Sequence, residues 1–234
     1  MIENLPGFIS TTFILTVFLT VGIFLFAVRQ NVFETFPAKL FSFLLAFWLI
    51  LQAMLGIGGF FLKTDGMPPR LILFGVLPAL VLIISYLLFA RKSFVERLPL
   101  RILTFIHIIR IPVEIVLLWL FQQKLIPQIM TFEGRNFDIL AGISAPFIAW
   151  LAFRKGKVNR TLLIVWNFLA LGLLFNIVIT AVLSFPFEFQ QFGFEQPNRA
   201  VLYFPFNWLP TVVVPLVLFA HLISLWKLFK NSLK

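Results

Sequence analysis

Seven apolar runs dominate the chain, near residues 8–28, 38–62, 70–90, 101–122, 138–153, 161–185 and 206–226. A hydrocarbon layer of about 30 Å is crossed by roughly 20 helical residues rising about 1.5 Å each, so most of these runs are long enough to cross it. No water satisfies the backbone there, and a lone segment can close its hydrogen bonds only as a helix. The sequence therefore predicts an all-α, polytopic membrane protein: a seven-transmembrane-helix bundle forming one domain over 1–234, with loops too short to add a soluble one. A composition that is 61% hydrophobic and 12% charged, with 32 Phe, excludes an ordinary soluble surface. The first run follows Glu3 with no basic residue ahead of it and lacks a small-x-small cleavage site, so it is expected to remain as a span.

The net charge of +10 would suggest nucleic acid in a soluble protein. Here the basic residues fall in short clusters between apolar runs, a pattern that reports membrane orientation and argues against a nucleic-acid partner. With the N-terminus outside, the cytoplasmic segments collect Arg29, Lys39, the group Arg91, Lys92, Arg97 and Arg101, the group Arg154, Lys155, Lys157 and Arg160, and finally Lys227, Lys230 and Lys234. The outer segments keep Lys63, Arg70, Lys124, Arg135 and Arg199, together with the acids Glu3, Asp65, Glu133, Asp138, Glu188 and Glu195. The expected arrangement is an outside N-terminus and a cytoplasmic C-terminus in a cell membrane, of the bacterial cytoplasmic kind, with the lipid bilayer and a small-molecule solute or lipid as partners.

The fourth run, FIHIIRIPVEIVLLWLF, carries His107, Arg110 and Glu114 in its middle. At about 100° per residue these fall at relative angles of roughly 0°, 300° and 340°, one narrow stripe of the helix. Charges at this depth cost at least about 2.5 kcal/mol each, so the stripe must face the bundle interior. Arg110 and Glu114, spaced i, i+4, could simply neutralise each other. Pro112 leaves the Ile108 carbonyl without its amide partner, and a kink is expected there. By depth, Glu114, Gln52 and Asn176 form a central polar layer, and His107, Asn167 and His221 form a second layer nearer the cytoplasm, with Arg110 on the same stripe as His107 and Glu114. These are the candidate solute- or proton-binding residues.

Two other stretches carry expectations. SFPFEFQQFGFEQPNRAVLYFPFNW, 184–208, reads as an aromatic belt at the outer interface or as a lid over a cavity. In LAGISAPFIAW, Gly142, Ser144 and Pro146 read as a small-residue packing face with a proline kink, or as a broken helix lining a site. A faint internal echo pairs Trp48, Pro68–Arg70 and Leu77–Pro78 with Trp166, Pro197–Arg199 and Leu209–Pro210, as in a 3+1+3 internal repeat.

That plan is similar, in topology and length, to the seven-helix sugar and vitamin facilitators and to rhodopsin-like receptors. The chain reads AVRQNV and AFRKGK where the facilitators have a Pro-Gln turn, and its last span has no lysine before Lys227, where the retinal-binding rhodopsins need one. No family follows from this. The favoured function is a small-solute or proton-linked transporter or facilitator, and the alternative is a membrane-embedded ligand sensor without a fused signalling domain. An intramembrane enzyme is less favoured, since neither HExxH nor GxSxG is present. No metal site or cofactor is expected from a chain with no Cys and two His, although His107 and His221 at matched depth could hold a haem.

Overall fold

Residues 2–63, 66–154 and 158–230 are described by the computed structural model, and among them the chain is helical without strands. The helices are α1 (Gly7–Asn31), α2 (Phe36–Ile57), α3 (Ile72–Phe89), α4 (Leu100–Gln122), α5 (Ile139–Ala152), α6 (Arg160–Leu183) and α7 (Leu209–Phe229). Six are long and apolar enough to cross a membrane, and α5 is shorter. These helices are apolar on nearly every side. Phe43, Phe47, Ile50 and Met54 of α2 and Phe168, Leu169, Phe175 and Ile179 of α6 all face outward. Such a surface suits lipid, not water. The chain is a multi-pass membrane protein by this measure.

Small differences from the sequence expectation have local causes. The second run was expected to continue to 62, but α2 stops at Ile57, where Gly58 and a left-handed Gly59 turn the chain. Two helices begin with a π turn, Ile72–Val76 in α3 and Leu209–Val213 in α7, and these turns pack against each other. Helix α4 tightens to 3-10 geometry over Ile106–Ile109, in the turn whose Ile108 carbonyl Pro112 cannot serve. The expected irregularity is there.

Helix α7 is the most buried span and α2 and α3 the least. Tyr86 donates to the Pro37 carbonyl at 2.8 Å, and Trp48 and Trp208 tie α2 to α7 through the carbonyls of Thr211 and Leu49 at 2.8 and 3.1 Å. On the other side α5 lies between α4 and α6, presenting Ala141, Gly142, Ala145 and Ala149 as a buried small-residue face. A Cβ on Gly142 would lie 2.9 Å from Ile111 Cγ1 and 3.2 Å from Arg110 Cβ, so the close approach of α5 to the charged turn of α4 depends on that glycine. The packing-face reading of this stretch describes what is seen.

One end of the bundle gathers the basic segments. Asn31 donates to the Arg97 carbonyl, Lys230 pairs with Glu96 at 2.6 Å, Arg91 lies over Trp226, and Leu100, Ala152, Leu163 and Leu228 pack together. Lys155, Lys157, Lys234 and, from the opposite end, Asp65 lie outside the described residues. At that opposite end the 184–208 segment folds back onto the bundle, with Gln196 donating to the Phe121 and Ile126 carbonyls and Phe185, Val201 and Leu202 buried against Phe61 and Leu71. It covers the helix ends as a cap, with Phe194 exposed.

Candidate functional site

Side chains at i and i+3 eclipse in a 3-10 turn, which sets His107 directly in line with Arg110. His107, Arg110 and Glu114 are all buried, at 0%, 2% and 1% exposure. What meets them differs in part from the sequence expectation. Arg110 Nη1 donates to Asp138 Oδ1 at 2.6 Å and to the Ala170 carbonyl at 3.0 Å, whereas Glu114 accepts at both oxygens from Asn136 Nδ2, at 2.7 and 2.6 Å. The Arg110–Glu114 ion pair considered from the spacing is replaced by Arg110–Asp138, because Asp138 is not the outer surface acid it was counted as. It is 5% exposed and bound into the core.

The reason lies in the length of α5. Its 14 residues span only about 21 Å, short of the roughly 30 Å needed, and Ala152 packs with the ends of α4, α6 and α7 at the basic end of the bundle. The residues ahead of α5 are therefore drawn inward. Asn136 is held by its amide on the Met130 carbonyl at 3.0 Å and accepts from the Asp138 backbone at 3.0 Å. A Cβ on Gly134 would collide with the Gln128 carbonyl, so the turn that delivers Asn136 closes only around glycine. Asn136 and Asp138 are the site residues that sequence reasoning missed. The available signal was a polar Asn-Phe-Asp directly before an undersized span.

Toward the basic end, Arg110 Nη2 lies 2.7 Å from His221 Nε2, and His221 Nδ1 lies 2.8 Å from Asn167 Oδ1. A guanidinium can only donate, so Nε2 accepts, Nδ1 carries the hydrogen, and His221 is the neutral tautomer. His107 stacks on His221 with ring centroids 3.9 Å apart and meets Trp166 edge-on at 5.3 Å. No macrocycle fits between imidazoles in face contact, which removes the haem reading. Neither nitrogen of His107 has a hydrogen-bond partner among the described residues. The expected inner layer of His107, Asn167 and His221 is brought together.

The expected central layer is not. Gln52 is fully buried but its amide donates to the Phe74 carbonyl at 3.0 Å, in the π turn of α3, and its backbone carbonyl receives Asn207 at 2.7 Å. Asn176 is exposed and donates to the Arg135 carbonyl at 2.8 Å, bracing the loop that carries Asn136. Neither touches Glu114. Equal depth did not mean a shared face.

Beside Glu114 and Asp138 lies a cavity of about 190 Å³. The two π turns, α4, α6 and the 184–208 cap wall it, and apart from Glu114, Asp138 and Asn198 its lining is apolar. Its α3 and α6 walls, including Ile72, Val76, Ile177 and Val178, are only half-buried, so the cavity lies toward the outer surface of the bundle between those helices.

A family model matches residues 67–229, more than half of the chain. The chain belongs to the family described as Domain of unknown function (DUF8737). No curated protein and no solved structure matches it. The DUF8737 match contains every residue of the Arg110 network and of the cavity, and leaves α1 and α2, with Gln52, outside it.

Proposed function

We propose that the protein is a proton-linked transporter of a small solute, with Glu114 as the proton- or solute-binding group. One observation carries the reading: a series of buried polar groups, joined between Asn136 and Asp138 through the Asp138 backbone N–H, leads away from the cavity. It runs from Glu114 through Asn136 and Asp138 to Arg110, His221 and Asn167, with His107 stacked alongside. From the imidazole pair, buried Ser224 and Lys227 continue along α7 at i+3 and i+6, and Thr104 lies one turn along α4, which packs on α7. Chains of Asp, Glu and His inside a membrane are costly and mark proton or ion pathways. A structural ion pair would need Arg110 and one acid. Here there are two acids to one guanidinium, and an imidazole whose nitrogens have no hydrogen-bond partner among the described residues.

In this reading the bundle spans the membrane seven times with the N-terminus outside and the basic end in the cytoplasm. The short α5 completes the bundle by carrying Asp138 part-way down. The 3+1+3 repeat belongs to the same proposal: the paired π turns of α3 and α7 favour a register that matches Pro78 with Pro215 in place of Pro210. The sensor reading uses the same cavity but would need a partner on the basic face.

The test is proton movement in proteoliposomes containing a pH dye, challenged with panels of small cations, anions and neutral solutes. One solute class is expected to drive proton flux that Glu114→Gln abolishes while the variant remains folded. Solute binding without proton flux for any class would leave the sensor reading in its place.

A further inference from the structure

The chemistry of the cavity lining narrows the solute. Arg110 does not line the cavity: its Nη1 and Nη2 bind Asp138, the Ala170 carbonyl and His221, its Nε has no partner among the described residues, and no cation among them lies within 4 Å of the Glu114 carboxylate. Glu114 receives one donor nitrogen, that of Asn136, although a carboxylate offers about four acceptor positions. The third polar residue of the lining, Asn198, gives its amide nitrogen to the Ala181 carbonyl and leaves its oxygen without a partner among the described residues. The polar part of the lining thus offers acceptors, and the remainder is hydrocarbon. Two buried acids beside one guanidinium also leave the ionised site with one excess negative charge, which a single monocation would neutralise.

Volume sets the size. A buried apolar cavity of about 150 Å³ accommodates benzene, and this one, at about 190 Å³, has room for such a ring with a short polar arm. We propose that the cavity binds a small apolar amine in its ammonium form, with the N–H groups on Glu114 and the hydrocarbon body against Val113, Leu117 and Val178. This deepens the transporter reading by naming the solute class, and it rests on Glu114 as the binding group. Charge balances as an exchange: one ammonium enters as one proton leaves the Glu114 carboxyl. The other charged or titratable groups around that carboxyl are Asp138 ahead of α5, Arg110 and His107 on α4 and His221 on α7.

The probes are benzylamine and benzyl alcohol, alike in ring and size but differing in the ammonium. Binding is read from the thermal stability of the purified full-length protein. Benzylamine is expected to raise the melting temperature saturably, with an apparent affinity about tenfold or more above that of benzyl alcohol, the range of a charge-assisted hydrogen bond. Glu114→Gln should bring the two probes together, Glu114→Asp should keep part of the preference should the glutamine variant misfold, and Val178→Trp should weaken both by filling the cavity. Equal binding of the two probes to the wild type, or an amine preference that survives Glu114→Gln, overturns the proposal. Glu114-dependent proton flux without amine preference overturns it too and leaves the transporter reading standing. Amine preference without flux supports the binding class and removes transport.

Discussion

At Arg110 the decisive quantity is the cost of an unpaired charge. Breaking a buried ion pair from one side costs about 3–5 kcal/mol, while replacing both partners with apolar residues of similar volume is often neutral. Asp138→Leu should therefore lower the melting temperature sharply, and the Arg110→Met, Asp138→Leu double variant should recover much of the loss in the same melt. The pair Arg110, Glu114 should not recover in this way, because Asp138 would then be left buried without its cation. A recovery with Glu114 and none with Asp138 would contradict the geometry. Glu114→Gln should cost less than either single change, since Asn136 can still donate to the amide oxygen. At this scale the sequence was informative about burial and silent about pairing. His107, Arg110 and Glu114 share one helix, so their common face follows from helical periodicity. Asp138 and Asn136 belong to a non-helical connection whose path periodicity cannot trace. Gln52 and Asn176 failed to join because depth was known and helix rotation was not.

Among the helices, α5 decides where the site lies, both by being short and by approaching α4 closely at Gly142. Gly142→Val would place its branches among Ile111 and Arg110, separating α4 from α5 at a cost of about 1–3 kcal/mol from overpacking. The expected result is a lower melting temperature together with weaker Glu114-dependent activity, whereas Gly172→Val, where nothing lies within 4 Å of an added Cβ, should change neither. The number of apolar segments and most of their limits were readable, because length and hydropathy decide them. The π turns and the inward fold of 184–208 were not, since these depend on which carbonyls and side chains meet in three dimensions. The contact between the α3–α4 connection and the end of α7 adds a pH test. Its hydrogen bond from Lys230, with Arg91 nearby, holds the Glu96 carboxyl below the usual glutamate range. A lowered folded value means the stabilisation is present above the ordinary pKa of about 4.3 and is lost as pH falls through the folded one. Acidification should lower the amide protection factors, taken relative to the intrinsic exchange rate at each pH, in the last turn of α7, and Glu96→Gln should show the lower protection already at neutral pH and lose that acid dependence.

For the whole molecule, the basic end is assembled from three separate connections and the end of α7, so its charge is a property of the fold as well as of the sequence. Arg29, Lys39, Arg91, Lys92, Arg97, Arg101, Arg154, Arg160, Lys227 and Lys230 all belong to helix ends or turns on that side. Positive loops are retained in the cytoplasm during insertion, and the rule counts Lys and Arg close to the span ends, as these are. Removing Asp138 from the acids of the opposite side leaves that argument intact, since acids contribute little to it. The chain contains no cysteine, so one introduced thiol reports one position without a background. A cysteine in place of Glu188, exposed on the 184–208 cap, should react with a membrane-impermeant maleimide in intact cells. One in place of Lys92, at the basic end, should react only after the membrane is opened. Labelling of Lys92→Cys with protection of Glu188→Cys would invert the bundle and direct the cavity toward the cytoplasmic leaflet. Labelling of both in intact cells would mean that the bundle does not separate two compartments, and a transport reading would have no gradient on which to act.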